Sequence, residues 1–143
     1  MSVKGVSDGR IRLIRLVCFL FAASSFVLGG WMVIDPASAW GSMGLQVGEH
    51  PFVPALYGGA IIGEGAMFAL GAIWPLRYVV FFQYLVIYKT MACLAGIGVL
   101  AGMKPAPTGA WLVLGGWAFA GLTSAVVFPW KQWRRMEARH GTS

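Results

Sequence analysis

Four apolar runs, at residues 11–34, 51–74, 78–102 and 108–130, constrain this 143-residue chain more than any other feature. As helices rising about 1.5 Å per residue, each is long enough to cross roughly 30 Å of hydrocarbon. In lipid no water satisfies a free peptide group, so such a run is stable only where its backbone bonds close internally, as a helix does. The composition leaves no room for a rival core. Hydrophobic residues make up 58% of the chain and charged residues 11%, against roughly a quarter charged in ordinary soluble domains. A soluble domain of this size has too little interior to hide that surface, and exposed patches would associate. The expected fold is all-α: one integral membrane domain over residues 1–143, built as a four-helix bundle.

The connections define the runs. The first resembles a secretory leader in its basic start and in Ala37-Ser38-Ala39 as a cleavage-like site. Its apolar length exceeds the usual 7–15 residues of such a leader, which makes it the first membrane helix. Asp35-Pro36 ends it, because proline disfavours helical geometry in the residue before it. Residues 37–45 are expected to form a short interfacial helix, with Trp40, Met43 and Leu45 dipping into lipid. Pro51 or Pro54 fits the first turn of the second helix. Pro75-Leu76-Arg77 is a tight turn, and Lys104-Pro105-Ala106-Pro107 a short loop. Residues 131–143 form a basic tail, expected to continue as an interfacial helix. In it Trp130 and Trp133 sit in lipid while Lys131, Arg134 and Arg135 meet headgroup phosphates.

Charge sets the expected orientation. The net charge is +6, but the cations cluster at the ends of apolar runs rather than along a groove, which points to lipid headgroups and away from nucleic acid. Lys4, Arg10, Arg12, Arg15, Arg77, Lys131, Arg134, Arg135 and Arg139 all fall on one side of a four-helix arrangement; only Lys104 falls on the other. The positive-inside rule then makes both termini cytoplasmic, in a multi-pass protein of the cell inner (plasma) membrane. Trp31, Trp40 and Trp111 near one boundary and Trp74, Trp130 and Trp133 near the other fit the same arrangement, since amphipathic rings favour the interface. Small residues at four-residue spacing point to tight helix packing: Ser25 and Gly29, Gly59 and Gly63, Gly98 and Gly102, and Gly116, Ala120 and Ser124.

Two ionisable residues, Glu64 and Lys89, lie deep within the second and third runs. A charge at the bilayer centre costs about 2.5–3.5 kcal/mol on insertion scales, so neither is expected to stand alone. Both are about 12 residues from the middle of the Pro75-Leu76-Arg77 turn. That is roughly 18 Å along an antiparallel hairpin, which brings both to the midplane at matching depth. An ion pair or binding site is therefore expected at Glu64 and Lys89, with Tyr57, Tyr84, Tyr88 and Thr90 as candidate pocket lining.

Other chemistries find little to build on. His50, beside Glu49, and His140 lie outside the apolar runs, so axial ligation of a haem or pigment inside the bundle is not expected. Cys and His show no zinc spacing. Ser24, Ser25 and Ser42 have no histidine and carboxylate placed to activate them, and Gly58-Gly59 and Gly115-Gly116 sit in apolar helices, not phosphate loops. No metal, cofactor or catalytic residue is predicted. Cys18 and Cys93 fall at depths on the order of 10 Å apart, too far for a disulfide, and read as small packing residues.

The Asp35-Pro36 that closes the first helix, the Ala55-Leu56-Tyr57-Gly58-Gly59 that opens the second and the overall length resemble small bacterial four-helix membrane proteins, loosely similar to the DoxX-like group. The resemblance spans about residues 26–130 and implies a membrane bundle without an assigned reaction. Three functional expectations follow. The leading one is a non-enzymatic accessory or scaffold subunit, partnered by lipids and by other membrane proteins or a second copy of itself. The next is a small-solute or proton-coupled transporter or channel centred on Glu64 and Lys89. The third is a quinone-linked redox accessory protein, which rests on the resemblance.

Overall fold

The computed structural model describes residues 7–46, 52–75, 79–102, 107–128 and 130. The chain forms five helices: α1 (Asp8–Ile34), α2 (Pro36–Ser42), α3 (Phe52–Ile73), α4 (Val79–Gly102) and α5 (Thr108–Val127). Among the described residues there is no strand. All but α2 are long and apolar enough to cross a membrane, so the chain is a multi-pass membrane bundle by length and composition. Its outer surface fits that solvent: Phe19, Val27, Ile87, Leu122 and Val126 are all exposed.

Local chemistry places the helix ends. α1 starts earlier than its apolar run because Ser7 caps it, accepting a hydrogen bond from the Arg10 backbone N–H, and Asp8 follows in the positive first turn. Pro36 occupies the first turn of α2, where its missing N–H costs nothing, and the Asp35 carboxylate accepts from the Ser38 N–H at 3.1 Å. α5 ends at Val127, short of the expected residue 130, because Phe128 precedes a proline and is extended, with ψ 135°.

The bundle is two helix pairs. Close backbone approach joins α1 to α3 and α4 to α5, whereas the two pairs meet mainly through side chains. Gly29 and Gly58 make the first pair possible: a Cβ on Gly29 would stand 2.7 Å from the Gly58 carbonyl oxygen. Ser25 and Gly29 thus serve the internal contact as expected. Gly59, Gly63, Gly98, Gly102 and Gly116 do not, since open space surrounds each of them.

Two apolar clusters tie the pairs together. At one end Ile14, Cys18 and Ala22 of α1 meet Phe68, Phe81, Phe82, Leu85 and Phe128. The rings run in contact, Phe68 on Phe81 at 5.5 Å and Phe82 stacked on Phe128 at 4.9 Å. Arg10 closes this end, donating from Nε to the Val127 carbonyl at 3.1 Å and from an Nη to those of Val126 and Phe128. The start of α1 and the end of α5 therefore share one end of the molecule. Trp130 folds back here: its ring lies 4.6 Å from that of Phe128 and its indole N–H donates to the Ala125 carbonyl, so it packs on protein instead of entering lipid freely.

At the opposite end α2 lies over the bundle. Met32, Ala39, Met43 and Ile61 form the second cluster, with Trp40, Leu45 and Tyr57 packed against it. This corrects the expected interfacial helix. Trp40, Met43 and Leu45 turn inward, because the bundle leaves an apolar mouth that they fill. The tail with Lys131, Arg134 and Arg135 lies outside the described residues, as do Lys4, Glu49, His50, Arg77, Lys104 and His140.

Candidate intramembrane binding site

Between the two apolar clusters the helix pairs are bridged by charge. Lys89, on α4, places Nζ 2.8 Å from both carboxylate oxygens of Glu64, on α3. The equal distances of these residues from the α3–α4 turn thus become a direct contact. A glycine of α5 seats the lysine: a Cβ on Gly121 would lie 3.1 Å from Lys89 Cβ, tight enough that the stem would have to give by a few tenths of an ångström. The ammonium is flanked by two ring faces, Trp117 at 4.7 Å and Tyr88 at 5.5 Å from the centroids. Each such contact contributes about 0.5–2 kcal/mol, the larger figure where water is excluded.

Burial is unequal across the pair. The Lys89 side chain is 4% exposed and that of Glu64 14%, which reflects the space on either side of the carboxylate. A cavity of about 490 Å³ lies between α1, α3 and α5, with Glu64 and Lys89 in its wall. Its lining is largely apolar, from Phe21, Leu28, Ile61, Phe68 and Val113, with Ser24, Ser25 and Ser42 as polar points. Its rim includes Ser24, Leu112, Gly116 and Phe119, all exposed on the outer faces of α1 and α5. A second cavity of about 380 Å³ borders the other side of Glu64, between α3 and α4. The pair therefore stands as a partition in a cleft between the helix pairs.

The remaining predicted residues divide. Tyr84 and Tyr88, stacked at 5.7 Å, line the second cavity. Tyr57 lies toward α2, between the rings of Trp40 and Trp117, on a third, apolar cavity. Thr90 belongs elsewhere: its hydroxyl donates to the Val86 carbonyl at 2.7 Å, and the side chain faces an exposed α4–α5 groove. A threonine one position after Lys89 is turned about 100° around the helix, away from Glu64. Trp117 is the residue that sequence reasoning passed over. It touches the ammonium and lines both the first and third cavities.

Chemically, the site is net neutral. The ammonium bridges both carboxylate oxygens, which leaves one of its three N–H donors and several carboxylate lone pairs for a guest. Comparison of the chain with protein-family models, with curated proteins and with solved structures returns no match.

Proposed function

We propose that this chain is a multi-pass protein of the inner (plasma) membrane, both termini cytoplasmic, that binds a small, mainly apolar molecule beside Glu64 and Lys89. The observation that carries this reading is the cavity of about 490 Å³ with the ion pair in its wall and a rim on the lipid-facing surface. Small-molecule sites are apolar clefts of roughly 300–1,000 Å³ with a few placed polar groups, and this cleft has that form. A pair kept only to lock two helices would be sealed in side chains; Glu64 instead borders open space on two sides. The openings between helices favour exchange with the bilayer, the geometry of a carrier or binding protein for membrane-soluble molecules.

Native mass spectrometry of the protein released from lipid nanodiscs tests this. We expect a bound small molecule that Gly116→Phe abolishes, because residue 116 lines the cavity and has open space for a ring. An unliganded spectrum for both proteins would overturn the reading.

A second reading, an accessory subunit or self-associating bundle, is favoured by the open glycine faces of α3 (Gly59, Gly63) and α4 (Gly98, Gly102). Small-residue faces let helices of separate chains approach closely. Copurification from the membrane distinguishes the two readings.

A further inference from the structure

Resting on the binding reading above, we infer that the cleft selects a neutral amphiphile, one apolar chain ending in an uncharged group that both donates and accepts a hydrogen bond, such as an alcohol or phenol. The reasoning starts from the ion pair. Both Glu64 oxygens are 2.8 Å from Lys89 Nζ, so the two charges cancel within the wall. An anionic head would compete for the ammonium and strand Glu64; a cationic head would compete for the carboxylate and strand Lys89. Breaking one partner from a buried pair is strongly unfavourable because it leaves an uncompensated charge, and the penalty persists at membrane depth.

A hydroxyl avoids both outcomes. It donates to a free Glu64 lone pair and accepts the remaining Lys89 N–H while the pair stays closed. Trp117 and Tyr88 hold the ammonium from the sides, so the polar guest group is directed to the carboxylate edge that faces the cavity. The apolar chain then lies along Phe21, Leu28, Ile61, Phe68 and Phe119. Ser24 and Ser25, near the rim, give the head a hydrogen-bonding step on its way in from lipid. The second cavity, across Glu64, presents the same carboxylate to a head arriving between α3 and α4.

Photolabelling of the full chain in nanodiscs with a diazirine-bearing octanol tests the inference. Three unlabelled competitors of one chain length are used: octanol, octane sulfonate and octyltrimethylammonium. We expect adducts at Ile61, Phe68 or Phe119, and protection by octanol at a bilayer concentration about a hundredfold below that of either charged competitor, the scale set by stranding one partner of a buried pair. If a charged competitor protects as well as octanol or better, the neutral-head inference falls while the binding reading stands. If no competitor protects these residues, the binding reading itself fails.

Discussion

An ionised side chain at the bilayer centre costs about 2.5–3.5 kcal/mol alone, and Lys89 and Glu64, 2.8 Å apart, give each other a counter-charge. Truncating one therefore does more than delete an attraction, since it leaves the other buried without a counter-charge. We expect Glu64→Gln and Lys89→Met each to lower stability, and the double change to recover about 1–3 kcal/mol, the coupling usual for contacting residues. Reversible unfolding in detergent, read by near-ultraviolet circular dichroism, gives the four values. Additive losses would mean that the two side chains act independently. The pair was legible in the sequence because equal distance from a turn fixes depth. Its surroundings were not. Among the described tryptophans Trp117 alone is far from a helix end: Trp31, Trp40, Trp74, Trp111 and Trp130 lie within a few residues of one. That depth was the available signal. Interfacial rings satisfy their indole at the headgroups, whereas a ring at the midplane needs a reason to be there, and here it faces an ammonium.

Between helices, the sequence marked where elements begin and stop far better than which faces meet. Spans follow from hydropathy, and the bounds of α3, α4 and the start of α5 fall within a residue or so of the apolar runs. Facing is harder because in lipid both the buried and the exposed sides of a helix are apolar, so the periodic contrast that marks a soluble core is absent. Glycine spacing shows the consequence. The Gly59 and Gly63 stripe carries the same motif as the working contact, yet it is the neighbouring Gly58 that touches α1. α2 was misplaced for a related reason: an amphipathic segment is drawn equally to a lipid interface or to the apolar mouth of its own bundle. In the sequence Arg10 reads as one of the cations that set the orientation, whereas in the structure it also caps the last carbonyls of α5. A cation at a helix C-terminus contributes about 0.3–1 kcal/mol when exposed and up to about 2 when partly buried. Arg10→Gln is expected to cost about 1–2 kcal/mol. It should also speed amide exchange at Phe128, whose N–H bonds the Ser124 carbonyl. Arg10→Lys should restore only part, since an ammonium lacks the fork that reaches several carbonyls. Unchanged exchange at Phe128 in Arg10→Gln would show that the cap contributes nothing there.

For the molecule as a whole, two helix pairs joined by an aromatic cluster at one end, a folded-over α2 at the other and an ion pair between leave a cleft with sides open to lipid. Its direction in the bilayer follows from charge. Arg10 binds the carbonyls at the end of α5, so the start of α1 and the end of α5 lie together, which four crossings require. In sequence, Lys4, Arg12 and Arg15 belong to that end as well, with Arg77 and the tail cations Lys131, Arg134, Arg135 and Arg139 assigned to it by the four-helix topology; Lys104 falls opposite. An excess of lysine and arginine is retained on the cytoplasmic side during insertion, and the proposed orientation rests on that asymmetry. Cysteine accessibility tests it in right-side-out membrane vesicles, on a background carrying Cys18→Ala and Cys93→Ser. Cys18 is fully buried and Cys93 lies against the Leu114 carbonyl, so both exchanges are to small side chains. A membrane-impermeant maleimide should label Lys104→Cys in sealed vesicles, and Ser143→Cys only after permeabilisation. Labelling of Ser143→Cys alone in sealed vesicles would invert the topology. The cleft would then present the mouth closed by Trp40, Met43 and Leu45 to the cytoplasm. Labelling of both positions in sealed vesicles would mean that α5 does not cross the membrane, and would overturn the four-crossing topology.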